Sequence, residues 1–130
     1  MAENKSILFW LNSCIISIII LITVGGITRL TDSGLSMVDW KPIMGIIPPL
    51  NNQDWLESFD KYKNTPEFSN YHNHFTIDDY KSIFFWEYLH RMLGRFVGLL
   101  FLLPLLFFSS KKCFSNYDMK NLFIIFFLIC

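Results

Sequence analysis

The stretch FFWEYLHRMLGR, residues 84–95, places one carboxylate, one imidazole and two guanidinium groups within a few turns of chain. Glu87 precedes His90 by three residues and Arg91 by four, and these spacings make the three side chains neighbours on a helix. Arg95 follows Arg91 by one further turn. A carboxylate can stabilise positive charge, an imidazole can bind a metal ion, and a guanidinium can bind an anion. The stretch is therefore the first candidate for a functional site.

The apolar run that follows this stretch predicts a transmembrane helix. Residues 96–108, FVGLLFLLPLLFF, are uncharged but too few to cross a bilayer, which takes about 20 residues. The helix reaches that length only if it includes the charged stretch, so we predict a span at about 83–108. Because charged side chains are costly in lipid, their presence in the outer part of this helix favours a function for them.

Two further apolar runs predict the other membrane helices. Residues 7–27 carry no charge and are long enough for a first span. The sequence VGGITRL, residues 24–30, lacks the small-residue pattern of a signal-peptide cleavage site. A third run starts at Asn121, and the sequence stops at Cys130 after about half a crossing. We expect an all-α membrane protein, with 1–130 as one domain of two complete spans and a truncated third helix at 121–130. We also expect the chain to be a fragment of a longer protein.

The distribution of charge predicts the orientation. Lys5 precedes the first span, and Lys111, Lys112 and Lys120 lie in the short link between the second and third, whereas residues 28–82 carry more acids than bases. By the positive-inside rule, this connecting segment (residues 28–82) lies outside and the amino terminus inside. The formal net charge is zero and no basic face forms, so nucleic acid is not expected as a partner.

The connecting segment is too long and too rich in aromatic residues for a disordered linker. Trp55, Phe59 and Tyr62 recur at helical spacing and predict a short amphipathic helix, with ordinary packing favoured over a ligand role. Thr65, before a proline, predicts the start of a brief helix, and Thr76 predicts the start of a long one that continues into the second span. The segment is therefore expected to be partly helical.

Polar residues of the same segment predict its irregular parts. Gly34 is expected to supply the permissive backbone after the first span. His72 and His74, in NYHNH, are expected in a solvated loop rather than at a metal site.

Three interpretations of the Glu87, His90 and Arg91 pattern stay open from the residues alone. In the first, Glu87 and Arg91 form an ion pair, and glycines at 94 and 98 let a neighbouring helix approach. In the second, His90 faces a bundle interior and binds heme iron, and the glycines leave room for a flat macrocycle. In the third, Glu-x-x-His is half of a di-iron site, which would need a second such motif that the sequence lacks.

Three ordered motifs resemble a known family. VGGITRLTDSGLSMVDWKPIMGIIPPL (24–50), FDKYKNTPEF (59–68) and FWEYLHRMLGR (85–95) look like the amino-terminal part of heme A synthase, of the branch shared by alphaproteobacteria and mitochondria. The resemblance covers most of residues 24–98. It implies a membrane oxidoreductase of eight helices in two four-helix halves, which oxidises a methyl group of heme O to the formyl group of heme A for cytochrome oxidase.

The resemblance also implies roles for particular residues. His90 would be an axial ligand of heme iron, and Glu87 would be catalytic, by our hypothesis through stabilising positive charge that develops at the methyl carbon. Arg29, Arg91 and Arg95 could bind the heme propionates, or could anchor the helices or pair with Glu87. The opposite axial ligand would come from later in the first half, and a heme b cofactor from the second half, so this chain alone is expected to be inactive.

The implied partners are heme O as substrate and membrane lipid, with heme O synthase and cytochrome oxidase assembly proteins as further candidates, and an oligomer is compatible with this assignment. The implied location is the bacterial cytoplasmic membrane or the mitochondrial inner membrane, with several spans. Two alternatives are a b-type cytochrome subunit that carries electrons through heme bound at His90, and a structural membrane subunit in which the charges set packing only.

Overall fold

The computed structural model describes residues 2–39, 46–111 and 115–129. In these residues the chain forms four α-helices and no strand, and a π-helical segment, Phe68–His72, separates the second helix from the third. The α-helices are α1 (Ala2–Leu30), α2 (Asn52–Lys63), α3 (Ile77–Ser110) and α4 (Asn116–Ile129). The predicted all-α class is confirmed. Residues 40–45 of the connecting segment and Cys130 of the predicted third helix lie outside the described residues.

Two of the helices are long and apolar enough to cross a bilayer, α1 from Lys5 and the whole of α3. Both contain the predicted spans, 7–27 and 83–108, and extend beyond them. Helix α3 begins several residues before the predicted span and runs without a break through the charged stretch, as the Thr76 start predicted. The protein is therefore an all-α membrane protein in which the charged stretch belongs to a membrane helix.

Contacts within the chain divide it into two units, and the first comprises Met1–Ile22 and Leu93–Cys130. Its core contains side chains from α1 and α3, against which α4 packs. Pro104, inside α3, has no amide hydrogen to donate to the carbonyl of Leu100. The indole Nε1 of Trp10 donates to that carbonyl over 2.8 Å, so the freed acceptor is satisfied. The buried residues of this core are Trp10, Cys14, Phe101, Leu105 and Phe108.

The second unit, Thr23–Met92, is built on the amino-terminal turns of α3. Phe59 and Tyr62 of α2 are buried against Tyr80 and Phe84 of α3, and the rings of Tyr62 and Tyr80 stack with centroids 5.1 Å apart. Trp55 packs edge-on against Phe84. The amphipathic helix predicted in the connecting segment is confirmed, and its aromatic face serves packing.

Side-chain caps define where the helices of the connecting segment begin. Asn51 Oδ1 accepts from the Asp54 amide over 2.8 Å at the start of α2. Thr76 and Asp79 cap α3 reciprocally, since the Thr76 amide donates to Asp79 Oδ2 over 2.9 Å and the Asp79 amide donates to Thr76 Oγ1. Thr65 Oγ1 accepts from the Phe68 amide, so the predicted helix start is also present.

His72 is buried, so the prediction of a solvated loop is wrong for this residue. Its side chain is only 6% exposed, its Nδ1 is 2.6 Å from the hydroxyl of Tyr62, and its ring stacks on Phe75. Burial raises the pKa of Tyr62 to about 12, which keeps this hydroxyl protonated at neutral pH. His74 is exposed, as predicted.

The left-handed residue that ends α1 is Asp32 and not Gly34. The Asp32 amide donates to the Arg29 carbonyl over 3.3 Å and the Ser33 amide to the Thr28 carbonyl over 2.9 Å, which are the two hydrogen bonds of a Schellman motif. Asp32 has a φ of 49°, whereas no glycine among the described residues has a positive φ. The expected role of Gly34 was therefore wrong, because the left-handed position falls directly at the helix end.

Replacement of Asp32 tests this helix end. At a left-handed position a Cβ atom is strained, so we expect Asp32→Gly to be more stable than Asp32→Ala by about 1 kcal/mol. In a helix interior the order reverses by a similar amount, and Asp60 of α2 supplies the matched control pair. Thermal unfolding in detergent measures both pairs. Equal stability of the two variants at position 32 would contradict the assignment.

Candidate functional site

A pocket of about 420 Å³ lies within the second unit, where the end of α1 and the residues after it face α3. Its lining includes His90 of α3 together with charged residues from α1, from the turn after it and from the segment that precedes the π-helix. The lining residues are Gly25, Thr28, Arg29, Asp32, Gly34, Leu35, Glu67 and His90. We call this the His90 pocket.

The imidazole of His90 reaches the pocket because Gly25 has no side chain. A Cβ atom added at Gly25 would lie 2.9 Å from His90 Nε2, which is closer than real Cβ atoms approach such an atom. At the next position, Gly26, an added Cβ would meet nothing within 4 Å. The missing side chain of Gly25 therefore lets the imidazole of the half-buried His90 approach α1 closely, and a neutral imidazole can bind a metal ion through one ring nitrogen.

Thr28 holds α1 beside α3 at the same level. Its buried hydroxyl lies 2.9 Å from the Val24 carbonyl on its own helix and 3.4 Å from the Trp86 carbonyl on α3. A small residue at 25 and a hydrogen-bonding residue at 28 are both suited to close helix approach in a membrane. These two residues fix one wall of the pocket.

Both oxygens of the Glu87 carboxylate accept hydrogen bonds from residues that do not line the His90 pocket. Glu87 is 3% exposed, and its Oε2 accepts from Ser36 Oγ over 2.7 Å and from the Met37 amide over 2.8 Å. Its Oε1 accepts from the guanidinium of Arg91. A buried carboxylate needs such partners, and here it receives a charge, a hydroxyl and a backbone amide.

A chain of hydroxyl groups extends this network into the connecting segment. Tyr80 donates to the Ser36 carbonyl over 3.2 Å, and its hydroxyl lies 2.7 Å from that of Ser58 on α2. Ser36 is 1% exposed. Glu87 therefore ties the residues after α1 to α3, and Tyr80 ties them to α2.

The structure separates the residues that the sequence grouped together. His90 and Arg29 line the same pocket, whereas Glu87 and Arg91 pair with each other and contact residues 36–37. The Glu87–Arg91 pair is the ion pair of the first interpretation. Arg95 lies further along α3, in the first unit. The roles predicted for these five residues toward heme stay predictions.

Sequence reasoning missed two important residues of the pocket. Gly25 belongs to a glycine pair whose members look equivalent until the helix positions only one of them against His90. Glu67, which follows the helix start at Thr65, makes no side-chain cap and lines the pocket. Within the described residues, Arg29, Asp32 and Glu67 form no ion pair.

A larger pocket, about 480 Å³, lies between α2 and residues on both sides of 40–45. Its described lining contains carboxylates, one lysine and apolar side chains, and no histidine. It carries none of the residues predicted for the site, so the His90 pocket is the candidate functional site.

The family match and the similar proteins place this chain in the same family. Residues 8–130 match the cytochrome oxidase assembly protein family. The chain is 46% identical over 123 residues to a heme A synthase from Flavobacterium psychrophilum, and 46% identical over 125 residues to a heme A synthase from Ehrlichia canis. It is also 46% identical over 119 residues to a heme A synthase-mitochondrial ferredoxin fusion protein from Schizosaccharomyces pombe. No solved structure matches the chain.

The matches cover most of this chain but a minority of each relative. They include 93% and 96% of the chain for the two bacterial relatives and 92% for the yeast fusion protein. The same matches cover 36% and 35% of the bacterial relatives and 19% of the fusion protein. The chain therefore spans about a third of the length of the bacterial relatives that it matches.

Replacement of Glu87 tests its structural role. Removing one partner of a buried ion pair typically costs about 3 kcal/mol or more, so we expect Glu87→Gln to lower the free energy of unfolding by roughly that amount. The Met37 amide should also exchange its hydrogen faster, because it loses its charged acceptor. Glu57→Gln on the exposed face of α2 is the matched control. Unchanged exchange at Met37 in Glu87→Gln would exclude the role.

Proposed function

Because the chain belongs to the cytochrome oxidase assembly protein family, we propose that it forms part of a heme A synthase. The intact protein would be an oxidoreductase that converts heme O to heme A by oxidising a ring methyl group to a formyl group. The observation that supports this proposal most is the His90 pocket, in which the imidazole of a membrane helix packs closely against Gly25 of α1.

His90 is the proposed axial ligand of the substrate iron. The described residues contain no group of three or more His, Cys, Asp or Glu side chains that could hold a bare metal ion. A single imidazole suits iron that a macrocycle already holds on four sides. Gly25 allows this imidazole its position at the pocket, because a side chain at position 25 would displace it.

Arg29 is the proposed partner of a heme propionate. It follows Gly25 by one helical turn, lines the same pocket and is exposed at the rim. A guanidinium can bind a carboxylate through two parallel hydrogen bonds. Arg91 forms an ion pair with Glu87, so in this proposal it acts through Glu87 to position the residues after α1. The propionate role predicted for Arg95 remains a prediction.

Glu87 supports the site by holding one of its walls. The residues that it binds, 36 and 37, directly follow Gly34 and Leu35 of the pocket lining. Its predicted action on the methyl carbon stays a prediction, and both of its oxygens are already occupied by protein donors. Loss of Glu87 would disturb the pocket through Ser36 and Met37 in either case.

The remaining assignments concern the intact protein. The opposite axial ligand and a heme b cofactor would be supplied by parts of the intact protein outside this chain. The proposed partners are heme O, membrane lipid, heme O synthase and cytochrome oxidase assembly proteins. The protein would cross the bacterial cytoplasmic membrane or the mitochondrial inner membrane several times, with its amino terminus inside and the connecting segment outside.

Chromatography of extracted hemes tests the proposed activity. The complete protein, supplied with heme O, is expected to yield heme A, and His90→Ala is expected to abolish the product because an axial ligand is lost. His74→Ala, at an exposed histidine of the connecting segment, is the matched control and should not change the yield. A complete protein that binds heme without forming the formyl derivative would contradict the proposal.

The glycine pair tests the geometry of the His90 pocket independently of turnover. A methyl group at position 25 must displace the imidazole, so Gly25→Ala should weaken heme O binding by about tenfold or more and alter its absorption spectrum. Gly26→Ala adds the same methyl group to the same helix in open space, so its spectrum and affinity should match those of the unmodified protein. Equal affinities in the two variants would exclude His90 Nε2 as the ligand.

A further inference from the structure

Two carboxylates of the second unit differ in whether their oxygens already accept hydrogen bonds from the protein. Both oxygens of Glu87 accept hydrogen bonds, from Ser36, Met37 and Arg91, and Glu87 does not line the His90 pocket. Glu67 lines the pocket, is half-buried, and makes no hydrogen bond or ion pair through its side chain within the described residues. The carboxylates available to a molecule in the pocket are therefore those of Glu67, which is half-buried, and of Asp32, which is exposed.

The backbone at Glu67 is held in place by its neighbours. Thr65 donates its hydroxyl to the Tyr62 carbonyl over 2.7 Å and accepts from the Phe68 amide over 3.3 Å, so the turn is closed on both sides of Glu67. The ring of Phe68 packs edge-on against Phe59 and Tyr62, with centroids 6.0 and 5.7 Å away. A functional group on such a supported turn keeps its position without using its own side chain.

The segment continues from Glu67 into the π-helix, and the start of that helix does not use the carboxylate. Glu67 occupies the position before Phe68–His72 with helical backbone angles, φ −60° and ψ −50°, and forms no side-chain cap. The next anchor is His72, which is buried against Tyr62. The side chain of Glu67 therefore does not cap the π-helix, and its segment is held by Thr65 on one side and by His72 on the other.

We propose that Glu67 is a catalytic residue that accepts protons released as the methyl group of the bound heme is oxidised. The inference rests on the proposed function. The net reaction takes up one water and releases four protons and four electrons: two protons leave the methyl carbon as its C–H bonds break, and two leave the water as the C–O bond forms. Four equivalents of a one-electron acceptor of the ferric heme class would take up the electrons.

The place of Glu67 in the pocket suits this role. The lining also contains His90, which would hold the iron, and Arg29, which would hold a propionate, so all three groups would contact the same bound heme. Asp32, an exposed residue of the same lining, offers a second carboxylate. Glu67 can accept one proton at a time and return each to water at the rim before the next is released.

Kinetics of the complete protein test the role. In Glu67→Gln the side chain keeps its shape but cannot accept a proton, so kcat for heme A formation should fall about 100-fold or more. The affinity for heme O and its absorption spectrum should stay within about twofold, since His90 and Gly25 are unchanged. Glu57→Gln makes the same chemical change on exposed α2 and should leave kcat, affinity and spectrum unchanged.

Glu67→Asp provides a second variant that keeps the carboxylate on a shorter side chain. It should retain the spectrum and more turnover than Glu67→Gln. Wild-type turnover in Glu67→Gln would overturn the inference while the proposed function stands. Loss of heme O binding in Glu67→Gln together with full binding and turnover in Glu67→Asp would overturn proton acceptance as the reason for the effect and assign Glu67 to binding. Absence of heme A from the unmodified protein would overturn the proposed function itself.

Discussion

The second unit depends on the burial of one carboxylate, that of Glu87. An ionised group removed from water is stable only if protein donors replace its hydration, and Glu87 receives a guanidinium, a hydroxyl and an amide. Only Arg91 comes from its own helix, so satisfying the charge forces residues 36–37 onto α3. The residues just before them line the His90 pocket, and the wall of the pocket is therefore set by this electrostatic requirement.

The other wall of the His90 pocket forms where α1 approaches α3 closely. The Schellman turn at Asp32 ends α1 and sends the chain back towards Glu87, while Thr28 contacts the backbone of α3. Gly25, one turn earlier, leaves the imidazole of His90 room on the α1 side. Because packing rather than the hydrophobic effect drives helix association in lipid, the missing side chain of Gly25 decides how closely His90 can approach α1.

Local features of the sequence predicted local features of the fold. The caps at Thr65 and Thr76, the aromatic face of α2 and the apolar lengths of α1 and α3 each depend on residues a few positions apart, and all are present. The failures depend on distant partners. His72 is buried because Tyr62 reaches it, and Gly25 differs from Gly26 only through His90 on another helix. Periodicity within one element cannot carry such information.

The Glu-x-x-His pattern illustrates the same limit at the site itself. Three residues along a helix separate two side chains by about 60° around its axis, which makes them neighbours but does not give them the same partners. Here that angle is enough for Glu87 to contact the residues after α1 while His90 faces the pocket beside Gly25. A carboxylate that acts inside the pocket must then come from another part of the chain. Glu67, on a turn held by Thr65 and Phe68, meets that requirement without disturbing the buried ion pair.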